Sequence, residues 1–332
     1  MQIGGSGEPG RENPRRRTLL RGRSGRFRVW PLVMFGVFFA YYYFSHQEEV
    51  PLTGRKQLVD LSREQEAALG LESYRQILGQ SRIVESGAEV QAIREIGRRL
   101  AAVADDPGFE WEFNLIASDQ ANAFALPGGK VAVYSGLLPV AENADGLAAV
   151  MGHEIAHAIA RHGAERIAHE RLAQLGSLAI GTAVGDMDVQ TQRMVMGALG
   201  VGTQFGVLLP FSRSHESEAD YMGLIYAARA CFDPREAPRL WERMAQASGG
   251  GAAPAEFMST HPGHETRIQN LNQWMPEALR VRAESCGGAA GYPGRCSVAP
   301  RSSPPSARCA LAARASAVDG ASDRGSRPAG RA

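Results

Sequence analysis

The sequence predicts an α+β fold that is mainly helical and contains a small sheet of three to four strands. Helical spacing of apolar residues dominates the chain, but from Glu110 onward the apolar residues fall into short runs typical of strands. With 332 residues and 44% apolar content, the chain is large enough for one sizeable core, so a globular domain is expected over residues 50–280. The net charge of +1 provides no overall field for nucleic acid, and no nucleic-acid partner is predicted.

The N-terminal 46 residues are expected to lie outside this domain. Residues 1–28 carry eight arginines and form a basic segment, which an apolar run over residues 29–46 follows. The apolar part of that run would be about 24 Å long as a helix, slightly less than the roughly 30 Å hydrocarbon layer. No small-x-small cleavage site follows, so a single-pass transmembrane anchor is favoured over a cleaved signal peptide.

Charge also predicts the orientation of this anchor. By the positive-inside rule the basic segment stays in the cytoplasm or its organellar equivalent, and the domain lies across the membrane. A bacterial inner membrane with the domain in the periplasm fits this pattern. A mitochondrial inner membrane with the domain facing the intermembrane space fits it equally. The four cysteines lack the short paired spacing of a metal or redox motif. Three of them lie in the tail beyond residue 284, so they indicate neither a disulfide framework nor a compartment.

The first half of the domain is predicted to contain helices and then the sheet. A linker at residues 51–55 comes first, and Ser62 is the expected N-cap of the first helix. Residues 127–129, Pro-Gly-Gly, predict a tight hairpin between the last two strands. The elements are expected at residues 62–78 and 88–103 for the helices, and at 111–117, 122–126 and 130–134 for the strands.

The second half is predicted to be helical. Asp145 is the expected N-cap of a helix that runs to about His162, and Pro234 is expected to open a later one. From residue 284 to 332 Gly, Ala, Ser, Pro and Arg dominate, which predicts a disordered tail. The other expected helices are two apolar segments within residues 172–211, broken at 185–193, one over residues 214–230, and a last one into which the segment at residues 259–274 leads.

The HEIAH motif is the strongest sign of chemistry. His153 and His157 are at positions i and i+4, so both imidazoles lie on one helical face and can approach one metal ion. Glu154 is offset by about 100° around the helix, which directs its carboxylate towards the open position of the metal. Five residues can match by chance, so this motif needs support from elsewhere in the chain.

A second acidic motif, HESEAD at residues 215–220, gives that support. A catalytic zinc takes three protein ligands and one water. Glu216 and Asp220 are again at i and i+4, so one carboxylate can bind the ion while the other accepts the distal ring N–H of a ligating histidine. Glu218 points to nearly the opposite face of this helix.

Taken together, these motifs resemble the HtpX and CaaX prenyl protease type of gluzincin metallopeptidases, especially its mitochondrial inner-membrane and bacterial periplasmic quality-control branch. The resemblance covers about residues 50–275. Its motifs are VPLTGRKQ at 50–57, NAFALPGGKVAVYSGLL at 122–138, HEIAHAIARH at 153–162, FSRSHESEAD at 211–220 with Gly223, and STHPGHETRI at 259–268.

The resemblance implies a zincin-like metallopeptidase domain and a role for each motif. It implies that His153, His157 and Glu216 bind one Zn²⁺, that Glu154 is catalytic and that Asp220 supports a ligating histidine. It also implies that a strand borders the cleft and aligns the substrate backbone by edge pairing. The residues of this strand are Asn122, Ala123, Phe124 and Ala125.

One histidine outside these helices is a further candidate. His261 occupies the place where this family brings another histidine near the metal, so it is expected either to donate to the developing oxyanion or to cover the metal in a resting state. The remaining candidates are expected to be surface or structural residues, namely His162, His169, His215 and His264.

The function predicted from all of this is zinc-dependent hydrolysis of peptide bonds in polypeptide substrates, with misfolded membrane or envelope proteins as the family-based expectation. The alternatives are a zinc-containing chaperone or assembly factor and a purely structural metal site. The intact Glu154 disfavours the chaperone, and a set of three protein ligands disfavours the structural site, which would use four. The sequence predicts neither the oligomeric state nor the cleavage preference.

Overall fold

A computed structural model describes residues 27–203, 209–249, 261 and 264–287, and it confirms a mainly helical α+β fold. Its helices are α1 (Trp30–Ser45), α2 (Arg63–Gly79), α3 (Ala88–Ala101), α4 (Leu138–Ala141), α5 (Ala144–Ile159), α6 (His162–Val184), α7 (Val189–Thr203), α8 (Leu209–Arg229), α9 (Glu236–Gly249) and α10 (His264–Cys286). Its strands are β1 (Gln47–Glu49), β2 (Lys56–Leu58), β3 (Ile83–Val84), β4 (Glu112–Ile116), β5 (Ala123–Leu126) and β6 (Lys130–Tyr134).

The main sheet has the strand order β3-β4-β6-β5. Its three longer strands are those predicted, and β5 and β6 form the expected antiparallel hairpin. Gly128 and Gly129 turn this hairpin with φ of +84° and +85°, and a Cβ at Gly129 would lie 2.9 Å from Phe109. Because β6 pairs in parallel with β4, the hairpin leaves β5 at the edge of the sheet.

Helix α5, which carries HEIAH, lies in the centre of the core. Almost all of its side chains are buried, and it packs against α3, α8, α9 and β5. The prediction that Asp145 is the N-cap of this helix is wrong. The side chain of Asn143 caps the helix by accepting the Gly146 N–H at 2.8 Å. Asp145 lies in the first turn instead and accepts the N–H of Asp233 at 3.0 Å.

The end of α5 also differs from the expectation. The helix stops at Ile159, and Arg161 adopts a left-handed conformation with φ of 57°, after which α6 begins at His162. The Arg161 guanidinium is buried, where it contacts Glu66 and Glu48 and donates to the Leu61 carbonyl at 2.6 Å. Such partners from distant segments offset the cost of the left-handed backbone.

Helix α8 crosses α5 where two glycines meet. A Cβ on Gly223 would lie 2.7 Å from the backbone nitrogen of His153, and one on Gly152 would lie 3.0 Å from the Gly223 carbonyl oxygen. This close approach places the acidic motif of α8 beside the histidines of α5.

The remaining helices follow the predicted order. Helices α6 and α7 are the two apolar segments, and α8 includes the expected residues 214–229. Helix α9 begins at Glu236 rather than Pro234, which lies in the preceding turn. Ser62 is the N-cap of α2 as predicted, and it forms a capping box with Gln65.

The region after the apolar N-terminal run is more ordered than a linker. Residues 51–55 form the turn between β1 and β2, with Leu52 and Gly54 at φ of 68° and 66°. Helix α1 packs along α6, and Tyr42 and Tyr43 contact Leu58 and the α6 side chains beside it. Trp30, Val33, Met34, Val37, Phe38, Phe39, Tyr41 and Phe44 on α1 are exposed.

Within the described ranges, no helix reaches the length and apolar character needed to cross a membrane. The basic residues 1–26 and residues 288–332, which contain most of the predicted tail, lie outside the described residues. A disulfide that the sequence did not predict joins Cys231, after α8, to Cys286 at the end of α10.

Candidate metal centre

Two imidazoles converge from consecutive turns of α5. The Nε2 atoms of His153 and His157 lie 3.1 Å apart, and His153 is almost completely buried. The i, i+4 spacing on a regular helix produces this arrangement, as the sequence predicted.

A carboxylate from α8 and a histidine from the segment before α10 complete the group. Ligand atoms of His153, His157, Glu216 and His261 all lie within 4.8 Å of one another. Glu216 is 3.4 Å from His153 Nε2 and 3.5 Å from His157 Nε2, and His261 Nδ1 is 3.2 Å from His153 Nε2 and 2.8 Å from Glu216 Oε2.

These separations fit a zinc ion. A tetrahedral zinc with bonds of about 2.0–2.1 Å places its donor atoms roughly 3.3 Å from one another. Three imidazoles and one carboxylate are also donors that zinc accepts. The group therefore has both the spacing and the chemistry of a zinc site.

The charges around this group favour a cation. Burial and the positive charge of Arg267 act to lower the pKa of His153, but its contacts with Asp220 and Glu216 outweigh them and raise that pKa to about 9. Burial acts to raise the pKa of Glu216, yet hydrogen bonds from His153 and His261 hold it well below its usual range. Glu216 is thus ionised where the histidine nitrogens meet.

Glu154 lies beside the group rather than in it. It is buried, and its Oε1 has no hydrogen-bond partner within the described part of the chain, although His261 Nε2 lies 3.6 Å from that atom. Burial raises the pKa of Glu154, an effect that His261 opposes, and the backbone of Ala125 in β5 also donates to this carboxyl group. One oxygen of this buried carboxylate is therefore not engaged in a hydrogen bond with any other group of the described residues.

The residues behind the ligands include one that sequence reasoning missed. Asp220 Oδ1 lies 3.0 Å from His153 Nδ1, the position that the resemblance implied. Arg267 of α10 lies in the motif at residues 259–268, but the sequence did not single it out. It donates to Asp220 at 2.5 Å and to Glu216 at 2.9 Å. It also lies 3.7 Å over the ring of Trp241. The sequence could not indicate this role, because Arg267 meets the two carboxylates only where α10 packs against α8.

Strand β5 lies next to Glu154 with one backbone edge free of the sheet. The Tyr134 N–H donates to the Asn122 carbonyl, so the backbone groups of Ala123 and Ala125 point away from β6. The Ala123 N–H is already bonded to the Asn122 side chain at 2.9 Å. The Phe124 ring packs between Tyr74 of α2 and Tyr134 of β6.

Three of the four histidines expected at the surface or in structural roles can be placed. His162 and His215 are buried, with 4% and 5% of their surface exposed, and their rings stack 4.1 Å apart. Burial lowers the pKa of His162 to about 4, so this ring is neutral near pH 7. His169 is half-buried, and the side chain of His264 lies outside the described residues.

Comparison with known proteins agrees with this geometry. The profile of peptidase family M48 matches residues 88–275. The chain is 38% identical over 247 residues to the mitochondrial metalloendopeptidase OMA1 of Schizosaccharomyces pombe, which covers 74% of this chain and 71% of that relative. It is 31% identical to human mitochondrial metalloendopeptidase OMA1 over 269 residues, 77% of this chain and 51% of that protein.

A bacterial relative gives the same result. The β-barrel assembly-enhancing protease of Escherichia coli is 30% identical over 244 residues, 70% of this chain and 49% of that protein. The chain thus spans about half the length of the human and bacterial relatives. The predicted resemblance is confirmed. The chain belongs to peptidase family M48 and is a zinc-dependent endopeptidase.

Proposed function

We propose that His153, His157 and Glu216 hold the zinc of this endopeptidase and that Glu154 is its general base. The observation that supports this most strongly is the meeting of two helices at one point, with donor atoms about 3.1–3.5 Å apart. Beside them lies a buried oxygen of Glu154 that accepts no hydrogen bond from the described residues. A zinc-containing chaperone would have no use for that oxygen.

The residues divide the reaction between them. A zinc ion in this site supplies Lewis acidity, which polarises the scissile carbonyl and lowers the pKa of water towards about 7. Glu154 Oε1 takes the proton from the attacking water and returns it to the leaving amine. Burial raises the pKa of Glu154, which suits a base that must also act as an acid. Asp220 accepts from His153 Nδ1 and so keeps Nε2 directed at the ion.

Of the two roles expected for His261, we propose that it covers the metal at rest. Its Nδ1 lies 2.8 Å from Glu216 Oε2 and 3.2 Å from His153 Nε2, as a fourth donor to the same ion would. With His261 in this place, four protein donors would surround a bound ion and leave no tetrahedral position for water. His261 must then withdraw before Glu154 can act.

The substrate is proposed to bind as an extra strand on the edge of β5. The backbone carbonyls of Ala123 and Ala125 face away from β6, whereas their N–H groups already donate to the Asn122 side chain and to Glu154. Pairing there would bring a polypeptide backbone to the general base without regard to its side chains. That suits the broad class of misfolded membrane or envelope proteins that we propose as substrates.

We further propose that the enzyme is anchored in an inner membrane by residues 29–46 and works on the side away from its basic N-terminus. The exposed apolar side chains of α1 support an apolar environment for this helix. The Cys231–Cys286 disulfide favours an oxidising compartment, as the periplasm and the intermembrane space are. Labelling of the domain from each side of the membrane tests this topology.

Casein cleavage is the direct test of the residue roles. The full chain is expected to lose activity with a chelator and regain it with zinc. Glu154→Gln is expected to keep one zinc per chain but to lose at least about a hundredfold in kcat, because the base is gone while the ligands remain. Glu216→Gln is expected to lose both zinc and activity.

Each outcome has a contrary result. Full activity in Glu154→Gln would show that another group is the base. Stoichiometric zinc in both Glu216→Gln and His153→Ala would show that the ligand set is wrong.

A further inference from the structure

A second buried polar cluster lies directly behind the metal centre. His162, the first residue of α6, has its Nδ1 2.9 Å from Nδ1 of His157, and its Nε2 3.0 Å from Oε2 of Glu218. Both His162 and Glu218 are buried. His162 therefore connects a proposed zinc ligand to a carboxylate that points away from the metal.

Which ring nitrogen of His157 and of His162 carries the proton follows from the group that each nitrogen faces. His157 Nε2 faces the other donors, 3.1 Å from His153 Nε2, so its lone pair is the one that an ion receives. The proton of His157 must then be on Nδ1, where the His162 Nδ1 can accept it. The proton of His162 is consequently on Nε2, where it is donated to Glu218.

The far end of the chain of contacts is held by the turn between β1 and β2. Thr53 donates to Glu218 Oε1 at 2.5 Å, and the Arg55 Nε donates to Glu218 Oε2 at 2.8 Å. Arg55 also forms two hydrogen bonds with Glu165, at 2.8 Å and 2.7 Å. Thr53 and Arg55 belong to the motif at residues 50–57, for which the peptidase mechanism has no role.

We propose that His162 is a positioning residue of the metal centre, which accepts the Nδ1 proton of His157 and is itself oriented by Glu218, Thr53 and Arg55. The turn at residues 51–55 thereby fixes the orientation of one metal ligand. This inference rests on the proposed role of His157 as a ligand. Partners of ligating histidines in this position commonly change metal affinity by about 10- to 100-fold when they are removed.

Zinc affinity separates this role from a merely structural one. A buried histidine that only fills space would change the melting temperature when replaced, but not the zinc affinity of the folded protein. The readouts are therefore competition with a fluorescent zinc chelator and the visible absorption spectrum of the Co²⁺ form. The full chain is used in detergent, with Glu154→Gln in every sample so that it does not digest itself.

Two replacements of His162 distinguish its two nitrogens. In His162→Asn the amide oxygen takes about the place of Nδ1 and can still accept from His157, so we expect less than about a tenfold loss of zinc affinity. In His162→Gln the amide lies nearer the place of Nε2, and we expect roughly a 10- to 100-fold loss with an altered Co²⁺ spectrum. Affinity within about twofold of the parent in His162→Gln would overturn the proposal.

If His162→Gln does not fold, variants of Glu218 and Thr53, which orient His162, test the proposal instead. Glu218→Gln and Thr53→Val are each expected to weaken zinc binding by about three- to tenfold, and parent affinity in both would also overturn the proposal. Glu66→Gln is the matched control, since it removes a buried partner of neighbouring Arg161 without touching His157. It is expected to lower the melting temperature and leave zinc affinity unchanged.

His157→Ala separates this inference from the proposed function. If His157→Ala loses zinc while His162→Gln binds normally, only the positioning role is wrong. If His157→Ala binds zinc like the parent, the ligand set itself is wrong.

Discussion

Among single residues, Glu165 shows how the structure uses a buried charge. Its carboxylate receives two hydrogen bonds from Arg55 and one from His215, and its side chain is 2% exposed. Burial acts to raise the pKa of Glu165, but these bonds outweigh burial and lower the pKa to about 2. The ionised form is thus bound more tightly in the folded protein than in the unfolded chain.

This lowered pKa predicts an acid-sensitive part of the stability. The contribution of Glu165 is complete above its unfolded pKa of about 4.5 and is lost as the pH falls from there towards 2, by at most about 3 kcal/mol. Chemical denaturation of wild type and Glu165→Gln at about pH 7 and about pH 3 measures this contribution. The difference between their free energies of unfolding is expected to be smaller at the lower pH. Glu170→Gln, at an exposed position of the same helix, serves as the control. If Glu165→Gln is as much less stable than wild type at the lower pH as at the higher pH, this interpretation is wrong.

Arg267 shows why some site residues could not be found from the sequence. His153, Glu154 and His157 were predictable because one helix presents them at a fixed spacing. Arg267 instead reaches Glu216 and Asp220 from another helix, and no local pattern predicts where α10 crosses α8.

Among the helices and strands, the hairpin and the helix periodicity were predictable because their signals are local. The β5–β6 hairpin follows from Pro127, Gly128 and Gly129 and its flanking apolar residues. The parallel pairing of β4 with β6 depends on contacts between segments that are separated in the chain, so no local pattern indicates it. The end of α5 was predicted at about His162 rather than at Ile159 for the same reason, since Arg161 is held by Glu48 and Glu66.

The crossing of α5 and α8 predicts the effect of a single methyl group. In Gly223→Ala the new Cβ would lie 2.7 Å from the His153 backbone nitrogen, so the helices must separate. We expect a destabilisation of about 1–3 kcal/mol and weaker zinc binding, because Glu216 moves with α8. Thermal unfolding and chelator competition measure the two effects.

A glycine with free space is the matched control for this change. A Cβ added at Gly197 in α7 would have nothing within 4 Å among the described residues, so Gly197→Ala is expected to be neutral or to stabilise by about 0.5–1 kcal/mol. Equal stability and zinc affinity in Gly223→Ala and wild type would show that the helices do not meet as described.

At the scale of the whole molecule, the Cys231–Cys286 disulfide forms a covalent loop in the second half of the domain. It links the end of α8 to the end of α10 across 55 residues, and the helices between Cys231 and Cys286 include the one that carries Arg267. In the chain-entropy account a loop of this length contributes about 4 kcal/mol. The sequence did not indicate the pair because Cys286 stands where the composition of the tail begins.

Loss of this cross-link is expected to lower stability more than it lowers zinc affinity. Cys231→Ser with Cys286→Ser should lower the free energy of unfolding by about 2–4 kcal/mol, measured by denaturant titration. Treatment of the wild type with a reductant should reproduce the loss and should leave the double variant unchanged. A reductant effect of equal size on both would mean that the disulfide is not its cause.

Zinc K-edge X-ray absorption of the purified full chain reports the atoms that bind the ion, and so it tests the proposed metal centre without relying on activity. We expect a first shell of nitrogen and oxygen only, at about 2.0–2.1 Å, with the multiple-scattering pattern of imidazole and coordination close to tetrahedral. The same shell should remain in Glu154→Gln and disappear in Glu216→Gln. A sulfur shell at about 2.3 Å, or an all-oxygen octahedral shell, would contradict a zinc held by His153, His157 and Glu216.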